Sequence, residues 1–182
     1  MRNSEFILRA LDKCLPRRIG IAFHLLGGGA LDLVYGIARF SEDVDCVCTL
    51  AEAHTMDSEE FQNALERAND LLEPQGLYLT HIFDEDELVH LPDWTSRLTP
   101  PPSDAPTFLH FDYDAVSAED IILSKLTRFD EKDRLDVEDL MLARAITREM
   151  IDSLIPTVVV PGVWMETWQN GLQKWRAWRP RH

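Results

Sequence analysis

Long apolar runs, a paired set of cysteines and a surplus of basic side chains are all missing from this chain, and each absence narrows what it does. No stretch approaches the roughly 20 apolar residues that a bilayer-spanning helix needs, so a helical membrane protein is not expected. The N-terminal residues scatter Arg2, Glu5, Arg9 and Asp12 where a signal peptide needs an unbroken apolar block. The three cysteines are an odd number, and Cys46 and Cys48 share one apolar run, which is no disulfide framework. They also lack the partners of a zinc site, and the six histidines show no metal-ligand spacing. A reducing cytoplasm is the expected setting. Basic residues are outnumbered 18 to 32, for a net charge of −14. That argues against wholesale binding of nucleic acid, which clustered Lys and Arg drive. A small anionic substrate or a local basic patch remains compatible, and the last nine residues hold Lys174, Arg176, Arg179 and Arg181 with no acid.

What is present fits one domain of 182 residues, long enough to bury its own core. Residues 4–15 place Phe6, Ile7, Leu8, Leu11 and Leu15 at near-helical spacing before Pro16. Residues 21–26 read as a short buried strand, 30–35 as a short helix closed by Gly36, and 44–50 as a second strand. An acidic helix is expected over 58–72, with Phe61, Leu65, Ala68 and Leu72 on one face and Pro74 and Gly76 at its end. Residues 77–83 alternate as a third strand, 99–106 are a proline-rich turn or linker, and 107–111 are expected as a further strand. From Ser117 the pattern is helical: Ser117 and Asp120 form a capping-box variant, and a second helix covers about 133–145. Residues 156–162 read as an extended connector or an edge strand. The expectation is an α/β (α+β) chain: a mixed sheet flanked by helices in residues 1–115 and a helical part in 116–182, packed as a single domain.

The chemistry concentrates in two places. In the first, Leu25 and Leu26 lead into Gly27, Gly28 and Gly29, and a short amphipathic segment then runs to Arg39, Ser41, Asp43 and Asp45. Side chains two apart on a strand share a face, so Asp43 and Asp45 point into one site while Val44, Cys46 and Cys48 point to the other side. Two carboxylates so close repel unless a cation lies between them, and hard oxygen ligands suit Mg²⁺ or Mn²⁺. Three successive glycines let backbone approach a ligand closely. In the second place, Lys125 sits on a mainly apolar helix, and Asp136 and Asp139 share a face of the next one. A lysine in such a setting needs an acidic partner or a wet cleft.

Apolar strand, glycines, short helix and Asp-x-Asp strand, in this order and spacing, resemble the nucleotidyltransferase superfamily (the polymerase beta-like fold). The run from Arg39 through Ser41 and Asp43 to Asp45 is similar to the small bacterial abortive-infection (AbiEii-like) subset. The resemblance implies Mg²⁺ on Asp43 and Asp45, and an NTP whose phosphates meet Gly27, Gly28, Gly29, Arg39 and Ser41. It further implies that Lys125 contacts phosphate or supports the site and that Asp136 is another active-site carboxylate. The implied reaction is transfer of a nucleotidyl group to an RNA, protein or small-molecule acceptor. A toxin–antitoxin or phage-defence setting, with a cognate antitoxin or toxin partner, comes with it. The alternative is a catalytically weakened relative that binds nucleotide or a partner. Many members add a third carboxylate on a later strand; Asp84 and Asp86 are the candidates, with Asp112 and Asp114 behind them.

Other conspicuous residues read as structural. Pro92, Asp93, Trp94 and Arg97 suit a turn with its tryptophan packed on the core, and His24 suits a core histidine with one hydrogen bond. Trp164, Trp168, Leu172, Trp175 and Trp178 recur at i, i+4, i+8, i+11 and i+14, a stripe that docks a last helix or, with basic residues interleaved, holds a nucleic-acid strand or a partner protein.

Overall fold

The computed structural model describes residues 2–20 and 22–180, so Ile21 of the first expected strand and Arg181 of the basic tail lie outside the described residues. The chain divides into two compact units: Met1–Glu85 with Leu98–Ala115, and Asp86–Arg97 with Val116–His182. Among the described residues no helix is long and apolar enough to cross a membrane.

The first unit holds helix α1 (Asn3–Cys14), strand β1 (Ala22–Leu25), helix α2 (Gly27–Leu33), strand β2 (Asp43–Cys48), helices α3 (Leu50–Met56) and α4 (Glu59–Leu72), and strands β3 (Tyr78–Asp84) and β4 (Asp112–Ala115). The sheet is mixed, in the order β3-β2-β1-β4. β1 runs antiparallel to β2 and parallel to β4, while β2 and β3 are parallel. One face of α1 buries Ile7, Leu8 and Leu11, and α4 buries Phe61, Ala64, Ala68 and Leu72. The two helices pack together over the apolar side of the sheet, where Phe23 lies 6.1 Å from Phe61 and edge-on to Phe111 at 4.8 Å. Complete burial of one such ring contributes about 1.5–3 kcal/mol. The pairing slips once, between Val44 and Asp45 of β2 and their partners on β3. Beside the slip the Asn69 amide of α4 acts as a substitute strand: it accepts from the Leu79 N–H at 2.8 Å and donates to its carbonyl at 3.1 Å.

Three expectations need correction here. α2 starts at Gly27 rather than Ala30, so the glycines are its first turn. Residues 107–111 form no strand; Phe108 and Phe111 stack at 4.8 Å, and β4 is the following segment, whose acid-apolar alternation puts Tyr113 and Ala115 inside. α3 was not expected at all, since its buried content is Met56 alone; Thr49 and Glu52 hold its start, with Glu52 accepting from the Thr49 N–H and hydroxyl.

The second unit contains α5 (Ala118–Lys125), α6 (Glu131–Arg144), α7 (Arg148–Leu154) and α8 (Met165–Ala177). Ser117, Asp130 and Thr147 cap the first three, each side chain accepting a backbone N–H three residues on. Residues 86–97 join this unit through buried Asp120, which accepts from the Leu91 N–H, the Ser117 hydroxyl and the Arg97 guanidinium. Trp94 is buried in that segment. Of the tryptophan stripe, Trp168, Leu172 and Trp175 are buried, Trp178 lies just beyond the helix end, and Trp164 is 39% exposed. Arg148 closes the α8 C-terminus, donating to the carbonyls of Trp175 and Trp178 at 2.7 and 2.9 Å and lying 4.5 Å from the Trp175 ring centre. The stripe is therefore mostly core. The connector at 156–162 is two short 3₁₀ turns joined by a single bridge between Val159 and His90.

Candidate active site

The first unit gathers Gly27, Gly28, Gly29, Ser41, Asp43 and Asp45. Burial alternates along β2 through this point: Val44 and Cys46 are buried, while Asp43 and Asp45 are half-exposed on the opposite face. The Leu26 N–H donates to the Asp45 carbonyl at 2.9 Å, so β1 delivers the chain into the glycine turn directly beside Asp45. Gly27 has φ +51°, a left-handed conformation that glycine alone adopts cheaply. A methyl group on Gly27 would stand 3.0 Å from Asp45 Oδ2, one on Gly28 2.9 Å from Ser41 Oγ, and one on Gly29 3.2 Å from Val44 Cγ1. Gly27 and Gly28 thus lie flat against Asp45 and Ser41, and Gly29 lies against buried Val44 between the two carboxylates. Ser41 is buried, its carbonyl accepts from the Asn3 amide at 3.1 Å, and its hydroxyl donates to Asp43 Oδ1 at 2.9 Å. The loop is pinned at this residue, and Asp43 is oriented by it. Arg39, on the same loop, donates to the Ala38 carbonyl, and Phe40 beside it is 79% exposed.

The same sheet face carries a group that sequence reasoning underestimated. His24 pairs in register with Val47 on one side and Asp114 on the other, so all three share the face of Asp43 and Asp45. Its Nδ1 lies 2.7 Å from Asp114 Oδ1 and its Nε2 3.3 Å from Glu52 Oε2, with the ring 6% exposed. Burial disfavours the imidazolium, but the Asp114 hydrogen bond and the charges of Asp114 and Glu52 outweigh it, and the pKa is raised. His24 is a buried histidine, as expected, with two acidic partners instead of one. The alternation of Asp112, Tyr113, Asp114 and Ala115 was the available signal.

The later carboxylates are placed by the same registers. Asp84 pairs with Cys48, and the Cys48 thiol lies 3.5 Å from its Oδ1, so Asp84 belongs to the face opposite Asp43 and Asp45. Burial, the Asp84 contact and nearby acids push the Cys48 thiol up to about 12, and complete burial pushes the Cys46 thiol well above its ordinary value. Asp86 lies in the second unit, in a 3₁₀ turn. Asp112 and Asp114 share the right face but are two strands from β2, about 9–10 Å across the sheet, and are engaged by Arg18 and His24. Among the described residues no group of three or more His, Cys, Asp or Glu is arranged to hold a metal.

Lys125 and Asp136 are brought together in the second unit. Lys125 Nζ lies 2.7 Å from Asp136 Oδ2 and 3.2 Å from Asp133 Oδ1, and Arg128 reaches the same Asp133 oxygen at 3.2 Å. Both aspartates are buried, and Asp133 Oδ2 has no hydrogen-bond partner. Removing the lysine would break the buried ion pairs with both aspartates and leave Asp133 to Arg128, a loss of about 3–5 kcal/mol.

Residues 9–178 match the family model described as nucleotidyltransferase of unknown function (DUF6036), and the chain belongs to that family. No curated protein and no solved structure matches it.

Proposed function

We propose that the protein transfers a nucleotidyl group from an NTP to an acceptor hydroxyl in a Mg²⁺-dependent reaction. The observation that carries this is the packing of Gly27 and Gly28 against Asp45 and Ser41, with Asp43 and Asp45 side by side on β2. Family membership points to the same substrate class. Two carboxylates fit Mg²⁺, which is held by one or two carboxylates plus water and substrate phosphates rather than by an all-protein cage. Bound there, the ion supplies charge stabilisation for phosphoryl oxygens and a template for the leaving group.

The chain's own residues do the rest. Ser41 fixes one oxygen of Asp43, which orients that carboxylate before any ligand arrives. The bare backbone of Gly27, Gly28 and Gly29 leaves N–H groups for phosphate oxygens, and a side chain there would collide with Asp45, Ser41 or Val44. Arg39 supplies positive charge on the same loop. Lys125 and Asp136 enter through the family resemblance, the lysine for phosphate oxygens and the aspartate for alignment of the attacking hydroxyl. The acceptor is an RNA, a protein or a small molecule. An AbiEii-like toxin–antitoxin or phage-defence role in the cytoplasm, with a cognate partner protein, is the setting we favour.

The placement of Asp84 on the opposite face supports a second reading, a nucleotidyltransferase-fold protein that binds nucleotide without turnover. Calorimetric titration with each NTP and Mg²⁺, on the native chain and on Asp43→Ala/Asp45→Ala, tests both. Metal-dependent binding abolished by the double substitution, with label transferred from NTP to an acceptor, is the expected result. Binding without transfer selects the second reading; no binding at millimolar nucleotide refutes both.

A further inference from the structure

The second unit contains a cleft of about 560 Å³ that the proposed reaction does not use. One wall is the turn at residues 127–130 between α5 and α6, and the other is α8. We infer that this cleft binds a phosphate-bearing ligand of nucleotide size.

Its walls are fixed. A methyl group on Gly171 would fall 1.6 Å from the Leu126 carbonyl oxygen and 3.0 Å from that of Thr127, so α8 rests directly on the end of α5. Phe129 holds the turn with φ +46° and is clamped edge-on by Trp175 and Trp178 at 5.5 and 5.4 Å. A left-handed phenylalanine is costly, and it persists here because those rings over-determine it. A cleft already rigid loses little entropy when a ligand arrives.

Its chemistry is polar and cationic. Arg128 and Lys174 both line it, and Lys174 is pinned to the turn by donating to the Arg128 carbonyl at 2.7 Å. Arg128, which also pairs with Asp133 at 3.2 Å, and Lys174 bring a guanidinium and an ammonium to one cleft, and both groups match phosphate oxygens. Residues 153–180 hold Lys174, Arg176 and Arg179 against the single acid Glu166, the reverse of the chain's overall balance. Thr167, Asn170 and Gln173 line the α8 wall, one turn apart, and no hydrogen bond joins their side chains to the described residues. Amides present donor and acceptor together, the pairing that reads the edge of a nucleobase. The carboxylate in the cleft, Asp130, accepts the Asp133 N–H at 2.9 Å, and that bond and neighbouring cations hold it below the usual carboxylate range. It suits ribose hydroxyls rather than phosphate. The volume falls within the roughly 300–1,000 Å³ of small-molecule sites.

The nucleotide comes either free or as the end of an RNA strand. The test uses the Asp43→Ala/Asp45→Ala protein in EDTA, which silences any metal-dependent nucleotide site. Adenosine monophosphate, inorganic phosphate and a short 5′-phosphorylated oligoribonucleotide are titrated into it. The monophosphate is expected to bind more tightly than phosphate. Lys174→Gln weakens both about tenfold, while Asn170→Leu weakens the monophosphate alone to about that extent. Both positions are exposed, and unchanged urea midpoints confirm that the variants fold. Oligonucleotide binding tighter than the monophosphate, and lost in the same variants, identifies the strand end; equal affinity identifies the free nucleotide. Affinity that neither substitution changes, or no saturation by about 10 mM monophosphate, overturns the inference.

Discussion

Gly27→Ala perturbs the carboxylate site without removing a carboxylate. Two consequences follow from its geometry. At φ +51° an alanine pays about 1–2 kcal/mol for the left-handed conformation, partly offset by about 0.4–1 kcal/mol from the less flexible unfolded chain. The net loss is about 1 kcal/mol, which lowers Tm by roughly 2–4 °C in a chain of this size. The second consequence is local. The new methyl group stands 3.0 Å from Asp45 Oδ2, inside ordinary contact distance, and a carboxylate swings away more easily than backbone. A displaced Asp45 no longer shares a cation with Asp43, and Mg²⁺-nucleotide affinity should fall at least about tenfold, or 1.4 kcal/mol. Thermal melting followed by fluorescence reads the first effect, and calorimetric titration of Mg²⁺ and NTP reads the second. An affinity within about twofold of the native protein, together with the expected drop in Tm, would refute the placement of Asp45 in the nucleotide site. An unchanged or higher Tm would refute the left-handed turn.

His24 makes stability depend on pH with a defined sign. The folded protein holds its proton more tightly than the unfolded chain, because Asp114 and Glu52 outweigh the cost of burial. This stabilisation is therefore complete below the unfolded pKa of about 6.5 and is lost as pH rises through the higher folded value. Urea midpoints between about pH 5.5 and 9 should decline in the native chain and flatten in His24→Gln; parallel curves would show that His24 does not titrate in this range. Gly171→Ala should destabilise by about 2–4 kcal/mol, since overpacking against the Leu126 backbone exceeds the roughly 1 kcal/mol gained in helix propensity. A urea midpoint at or above the native value would show that α8 does not rest on α5.

Part of this architecture is local and could be read from the chain. Asp43 and Asp45 share a face because strand side chains alternate, and no tertiary contact is needed to know it. The acidic helix at 58–72, ended by Pro74 and Gly76, and the Ser117 cap are equally local signals. Asp-x-Asp after a glycine turn is likewise a local signal of the nucleotidyltransferase superfamily. What no local pattern holds is which distant residues meet. The Ser41 hydroxyl on Asp43 is two residues away, but the fit of Gly27 and Gly28 against Asp45 and Ser41 arises only when β1 pairs with β2. Asp84 looked like a third carboxylate until the β2–β3 register set it opposite Cys48, on the other face. The strand expected over 107–111 lies instead at Asp112–Ala115, where pairing with β1 gives His24 its partner. A lysine on an apolar helix needs an acidic partner or a wet cleft, and helix packing supplies Asp133 and Asp136. Sequence determines periodicity, caps and turn chemistry because these act within a few residues, whereas pairing register and helix contact are set by the burial of whole faces, and only the folded chain decides them.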